Sequence, residues 1–316
     1  MTLYKNFIGV DIGKSTFVVS LYGQKTTLDY ENSSGGIAQF MQDHGETLSQ
    51  ALCVVETTGG YELAFVYTLM AQGYKVHRAD TRKVKNFIRS FGGSAKTDAL
   101  DAKALARYGF ERHDKLDIFK PLSQESVELF QLVQRRRDLK AMVVAEKNRL
   151  QSPSGALIQD TIIQVIDVIN QQAHIITDKI QALIEANPCL KQKKEILKTI
   201  PGIGEIIAFE VLILLPELGT LSRRKIASLA GVAPRANESG KFFGYRRTGH
   251  GRQGIKPILF LAAMAARNSK ISLKAFYEKL IQKGKKKMVA LTALMRKILI
   301  IANARIKELN LQKKHS

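Results

Sequence analysis

Four carboxylates and one hydroxyl stand out by their placement in the chain. Asp11 closes the apolar stretch FIGVDIG, Glu56 closes ALCVVE, and Asp98 and Asp101 lie three apart in KTDALDAKALA. An apolar run that ends in an acid reads as a strand delivering its carboxylate at a sheet edge. A spacing of three puts both aspartates on one face of a helix. Carboxylates that crowd together oppose one another's ionisation, and a divalent cation resolves the conflict. With oxygen ligands alone, Mg2+ or Mn2+ is favoured over zinc. Ions held in this way could activate a nucleophile and stabilise the leaving oxygen of a phosphodiester. Singly, each acid has an ordinary reading, Asp11 as a strand cap and Asp98 as a helix N-cap. The order strand-Asp, strand-Glu, helix-DxxD is what carries the functional one.

The hydroxyl is Ser239, in the passage GVAPRANESGKFFGYRRTGHGRQGIKP. It precedes Gly240 and has Arg235, Lys241, Arg246, Arg247, Arg252 and Lys256 close by in sequence. A serine becomes a competent nucleophile only when a base or metal removes its proton. Guanidinium groups stabilise the charge that gathers on an attacked phosphate. A Ser-Gly turn in an arginine-rich loop therefore suits covalent phosphodiester chemistry, and a loop that merely contacts DNA is the plain alternative. His250 lies between two glycines and is left outside the catalytic set. Upstream, IPGIG offers Gly202 and Gly204 as a helix–hairpin–helix turn, in which backbone N–H groups approach a phosphate closely. An ordinary turn between helices would look the same.

The charge balance points to the same class of partner. The 316 residues carry 49 Lys and Arg against 28 Asp and Glu, a net charge of +21. Such an excess implies a polyanion, nucleic acid first among them. Residues 251–316 hold 16 basic and 2 acidic groups, so fourteen of the twenty-one excess charges fall in this last fifth. They interleave with apolar residues at helical spacing, which predicts helices with one apolar and one basic face, able to track phosphates in a salt-dependent way. At 45% hydrophobic residues the chain can build a core, which excludes wholesale disorder. No apolar run approaches the ~18 residues of a membrane span. The N-terminus has no charged head before a long apolar stretch, and Cys53 and Cys189 form no CxxC pair. A cytoplasmic location, without membrane or cysteine-built zinc site, is expected.

The elements that must position these groups follow from periodicity. Residues 5–30 alternate as three strands, 37–44 read as a helix, and 51–56 as a buried strand. A helix reaching residue 72, a strand over 74–78 and helices over 82–91 and 98–108 complete a mixed sheet flanked by helices. Residues 123–151 form a heptad-like helix broken at Ser152-Pro153-Ser154-Gly155. A second helix over 157–184 sets Ile162, Val165, Ile166, Ile169, Ile176, Ile180 and Leu183 on one side. Together they predict an antiparallel hairpin, either a spacer or dimerisation arm or an element packed within its own monomer. The remainder is helical, with a lysine cluster at residues 283–287. Three domains are expected, over 1–122, 123–190 and 191–316.

Two nucleotide-binding readings of GVDIGKS fail. A Walker loop needs four residues between its glycines, and Gly9 and Gly13 leave three. An actin-like sugar kinase needs a second Asp-Gly phosphate loop and a Gly-rich adenosine site, and the later half offers neither.

GVDIGKS, VVETTGGYE, KTDALDAKALARYG, IPGIG, SLAGVAP, ESGK and GHGRQGIKPILFLAAMAARN together resemble the DEDD transposases of insertion-sequence family one-ten, which include Piv-type DNA invertases. The resemblance runs from about residue 5 to residue 310. It implies a fold of class α/β plus α: an RNase H-like (RuvC-like) N-terminal domain, a coiled-coil hairpin, and a mainly helical C-terminal transposase domain. In such a protein Asp11, Glu56, Asp98 and Asp101 bind metal, and Ser239 is the nucleophile. The resemblance also implies a structured non-coding guide RNA that pairs with donor and target DNA. Many members carry Ile-Ser/Thr-Lys-x-Gly after the serine, where this chain has TGHGRQG over 248–254, a glycine-rich form that bears on subgroup and RNA architecture. The expectation is a site-specific recombinase that joins itself covalently to DNA. It would act on double-stranded DNA as a dimer or tetramer, with each active site assembled from two protomers. A RuvC-like structure-selective nuclease, a Piv-type invertase and a non-catalytic nucleic-acid binder are the alternatives.

Overall fold

The computed structural model describes residues 4–92, 97–120, 123–236, 238–240, 242–249, 251–269 and 272–315. The chain divides into two compact units, Met1–Pro121 and Leu122–Ser316.

The first unit is built on β1 (Asn6–Ile12), β2 (Thr16–Leu21), β3 (Leu28–Glu31), α1 (Ser34–Ser49), β4 (Ala51–Glu56), α2 (Leu63–Ala71), β5 (Lys75–Ala79), α3 (Thr81–Arg89) and α4 (Asp98–Arg112). The five strands form one mixed sheet in the order β3-β2-β1-β4-β5. β1, β2 and β3 run as an antiparallel meander, while β4 and β5 lie parallel to β1 and to each other. The expected mixed sheet with flanking helices is thus present. Helix α1 starts at the Ser33 cap, which accepts from Gly36 N–H at 3.2 Å, and extends beyond the expected residue 44, through Gly45, to Ser49.

Alternation sorts the two faces of the sheet. Ile8, Val10 and Ile12 of β1 join Cys53 and Val55 of β4 in a core with α1 and α2. Phe7 of β1 and Leu52 and Val54 of β4 turn the other way, towards Leu105 and Tyr108 of α4 and Val84 and Phe87 of α3. The odd positions of β1 therefore look towards α4.

The second unit opens with the hairpin, α5 (Gln124–Leu150) and α6 (Gln159–Ala186), joined through a short 3-10 turn at Pro153–Ile158. Leu139, Val143, Ile162, Ile166, Ile169 and Ala173 zip its outer part together. Val165, expected in that seam, is 41% exposed instead. The buried positions step 162, 166, 169, 173, and one residue before 166 already faces away. At the root, Leu129, Val133, Ile180 and Ile184 enter the main core of the unit. That core gathers α7 (Pro188–Lys198), α8 (Glu205–Leu214), α9 (Arg223–Leu229), α10 (Ile255–Ala266), α11 (Ser272–Gln282) and α12 (Lys287–His315). Between α9 and α10 a two-stranded ribbon pairs β6 (Glu238–Ser239) with β7 (Phe242–Phe243). Among the described residues no helix is long and apolar enough to cross a membrane.

Candidate active site

The acids are levelled by the backbone. The β1–β4 ladder runs in parallel register to Val10 beside Val55. One step further Asp11 stands level with Glu56, on strands ~4.8 Å apart and on the same face. That face belongs to α4, which approaches β1 closely because Gly9 has no side chain. A Cβ there would lie 2.1 Å from the Ala102 carbonyl oxygen and 2.2 Å from Ala106 N. Further back, a Cβ on Gly109 would meet Val54 and Phe7. So α4 runs antiparallel to β1, its numbering falling from 109 to about 104 as the strand rises from 7 to 9. Two strand residues span ~6.6 Å and four helical residues ~6 Å, which carries the first turn of α4 to the level of Asp11. Asp98 and Asp101 are in that turn. The N-cap is Thr97, whose hydroxyl accepts from Leu100 N–H at 3.2 Å, so Asp98 does not serve as the cap.

Asp11, Glu56 and Asp101 are half-buried and Asp98 is exposed. Among the described residues no three His, Cys, Asp or Glu side chains converge as a group that could hold a metal ion. The backbone brings the four acids to one end of the sheet, and their carboxylates are not gathered into a closed ligand set. The donor chemistry still suits a hard cation. Mg2+ keeps several waters and is commonly held by one or two carboxylates together with a phosphate.

Two residues that the sequence did not single out organise this end of the sheet. Glu62 is fully buried and folds the loop after Glu56 around itself. Its Oε2 accepts from Thr58 N–H at 3.1 Å, the Thr58 hydroxyl at 3.0 Å and Gly60 N–H at 2.9 Å. Its Oε1 accepts from Arg78 Nε at 2.8 Å. Burial alone would raise the Glu62 pKa, but the hydrogen bonds and the Arg78 guanidinium outweigh it and hold the carboxyl below the usual carboxylate range. Asn32 ties the two loops together, its Nδ2 donating to Gly13 O at 2.9 Å and to Tyr61 O at 3.2 Å.

In the second unit Ser239 is exposed on β6, paired across the ribbon with Phe242 and followed by Gly240 at φ +53°. Positive φ at the first loop position is what a two-residue hairpin of this hand requires. Arg235, Arg246, Arg247 and Lys256, its neighbours in sequence, are all exposed. Arg235 N–H donates to Arg247 O at 3.0 Å, closing the base of the loop. Arg246 Nη2 reaches Glu238 Oε1 at 3.0 Å, and Lys256 Nζ lies 3.4 Å from the Thr248 hydroxyl. Lys241 and His250 lie outside the described residues. Tyr245, unnoticed in the sequence, is 91% exposed beside Arg246, an aromatic set in a basic loop as nucleic-acid binders display them.

Two of the expected contact residues serve the fold. Arg252 makes a forked pair with Glu217 and donates to Leu214 O at 2.8 Å, which holds the segment before α10 against the end of α8. Gly202 has φ +89°, and a Cβ there would lie 2.2 Å from Ala262 O, so its missing side chain lets α10 come close. Gly204 opens to free space at the start of α8. The adjoining Glu205 is engaged by Lys194 and Lys198, the latter at 2.7 Å.

The comparisons with known proteins agree in order along the chain. A transposase model of the DEDD type from the IS110 group matches residues 8–153, and the model described as transposase IS116/IS110/IS902 family matches residues 194–278. The chain belongs to the IS110 family of transposases. Membership makes it an enzyme of DNA recombination. The pilin gene-inverting protein of Moraxella lacunata is 29% identical over 96% of both chains, and that of Moraxella bovis is equally similar over the same span. An insertion element IS110 protein of Streptomyces coelicolor is 27% identical over 45% of this chain and 35% of its own length.

Proposed function

We propose that this chain is the recombinase of an insertion sequence, one that cuts and rejoins DNA at specific sites through a covalent serine–DNA intermediate. What carries the reading is the presence, in one IS110-family chain, of Asp11, Glu56, Asp98 and Asp101 levelled at one sheet end and of Ser239 exposed on an arginine-bordered ribbon. The strand order of the first unit supports an RNase H-like, RuvC-like fold for it. The expected division at 122 and 190 would make the hairpin a domain of its own.

In the first half-reaction Ser239 Oγ forms a bond to phosphorus, a bridging P–O bond breaks, and the departing deoxyribose oxygen takes up a proton. In the second, a strand hydroxyl attacks the phosphoserine, and the serine oxygen leaves and regains its hydrogen. No phosphate bond energy is lost to water. Arg235, Arg246 and Arg247 would offset charge on the attacked phosphate. A divalent cation, Mg2+ or Mn2+, held by the four acids would supply positive charge at a phosphate. The family resemblance adds a non-coding guide RNA that pairs with donor and target DNA, and a homo-oligomer of two to four copies.

The test is Ser239→Ala. Strand exchange and any protein–DNA adduct resistant to denaturant should disappear while nucleic-acid binding persists. Normal cutting by that variant would instead support a metal-dependent nuclease that uses water. The full-length similarity to pilin gene-inverting proteins favours a second reading, inversion of a fixed segment by the same chemistry. The repeats flanking the coding region distinguish the two, since inversion requires a pair in opposed orientation.

A further inference from the structure

The second unit carries a cleft of about 730 Å3 between α11, α12 and the loop that leads into and out of the ribbon. Phe276, Val289 and Ile300 give it apolar walls, while its charged lining is Arg246, Arg296 and Lys297 with no Asp or Glu among the described residues. Lys297 Nζ sits 4.2 Å from the centre of the Phe276 ring. Arg296 Nε is enclosed and has no hydrogen-bond partner, an arrangement that leaves a donor available to an incoming acceptor. Arg246 belongs at once to the cleft lining and to the salt bridge with Glu238, the residue before Ser239.

We infer that this cleft takes a single unstacked nucleotide of DNA, base among the apolar walls and phosphate against the three cations. The chemistry of the site is amphiphilic in the way a nucleotide is: a flat π-surface at one end and a dianion or diester at the other. The volume falls in the ~300–1,000 Å3 range of small-ligand pockets. A base inside a duplex cannot enter such a slot, so the occupant is unpaired or flipped out. DNA is the source because Arg246 joins the cleft to the ribbon of Ser239. The inference rests on the recombinase reading to that extent.

The experiment uses the full chain and a short duplex of arbitrary sequence carrying one bulged 2-aminopurine, against the same duplex fully paired. Wild type should bind the bulged duplex about tenfold more tightly, as base–aromatic stacking terms allow, with a change in 2-aminopurine fluorescence. Ala293→Met, which fills the cleft, and Lys297→Gln, which removes a cation, should each abolish that preference and leave fully paired affinity within about twofold. Lys297→Gln keeps the test decisive if Ala293→Met does not fold. Absence of a bulge preference in wild type, or its retention in the folded variants, overturns the proposal. So does a preference for a ribonucleotide bulge over the deoxyribonucleotide one, or a cleft-filled variant that keeps its bulge preference while changing oligomeric state. Ser239→Ala should keep the bulge preference. An adduct still formed by Ser239→Ala would defeat the recombinase reading and leave the cleft result standing.

Discussion

Asp98 and Asp101 help this fold without any ligand, since acids in a helix's first turn meet the positive end of its dipole, worth ~0.3–1 kcal/mol each. Asp11 stands on β1, level with Glu56 and outside that turn. Asp11→Asn keeps the side chain's size and removes its charge, so strand exchange and its dependence on added Mg2+ should fall much further than the thermal midpoint. A matching fall in both would make Asp11 a structural residue. Glu62 behaves in the opposite way. Its folded pKa lies below the ordinary 4.5, so the folded state binds that proton more weakly than the unfolded chain. The stabilisation is complete above the unfolded value and drains away as pH falls through the folded one. Denaturant titrations from pH 6 to pH 3 should show this loss in wild type, and a smaller one in Glu62→Gln, whose stability is lower throughout. Residue types and strand ends made Asp11 and Glu56 readable in the sequence. Glu62 was not, because its meaning depends on Arg78, sixteen residues away and on another element. The pairing of Arg252 is hidden for the same reason: its partner Glu217 lies 35 positions upstream, and a basic residue in a basic passage gives no sign of being already engaged.

The hairpin shows how periodicity reads an element and misses its anchor. Heptad spacing gave α5 and α6 with a turn at Pro153, yet nothing in it marked Arg136 as buried. Arg136 Nη1 donates to Glu210 Oε1 of α8 at 2.7 Å, and its Nε donates to the Thr177 hydroxyl of α6 at 2.9 Å. Burial holds the Glu210 carboxyl above its ordinary value despite the guanidinium beside it. Both side chains are less than a tenth exposed. Arg136→Ala would leave an acid stranded in the core, at a cost of about 3–5 kcal/mol by urea denaturation. Arg136→Met with Glu210→Leu should recover most of that loss, since two apolar groups need no partner. If the double variant is as unstable as the single one, the pair contributes more than mutual neutralisation.

At the scale of the whole molecule, part of the basic excess of residues 251–316 sits on folded helices. In α12, Leu291, Leu294, Met295, Ile298, Leu299, Ala302 and Ile306 are buried in the core, while Lys307 is exposed. The interleaved pattern of residues 251–316 announced this, because charge at helical spacing beside apolar residues survives only where the apolar side is covered. DNA affinity should fall linearly on a log–log plot against salt, by about 0.9 per phosphate neutralised. A flat response in fluorescence anisotropy would remove the helical face from the binding surface. Where the chain divides was less legible. The hairpin reads as separate in sequence, but Leu129, Val133, Ile180 and Ile184 share a core with α8 to α12, and a core shared across distant segments leaves no local mark.

The near-contact of β1 and α4 offers a way to pull charge and distance apart. Alanine at position 9 would force a methyl against the helix backbone at Ala102 and Ala106. A helix is stiff, so it would lift as a rod. Asp98 and Asp101 would travel together, keeping their mutual spacing, while both drew off from the strand acids. Every acid would still be there, and only the gap would have changed. One methyl, on a residue with no chemistry of its own, thus acts as a shim under half of the site.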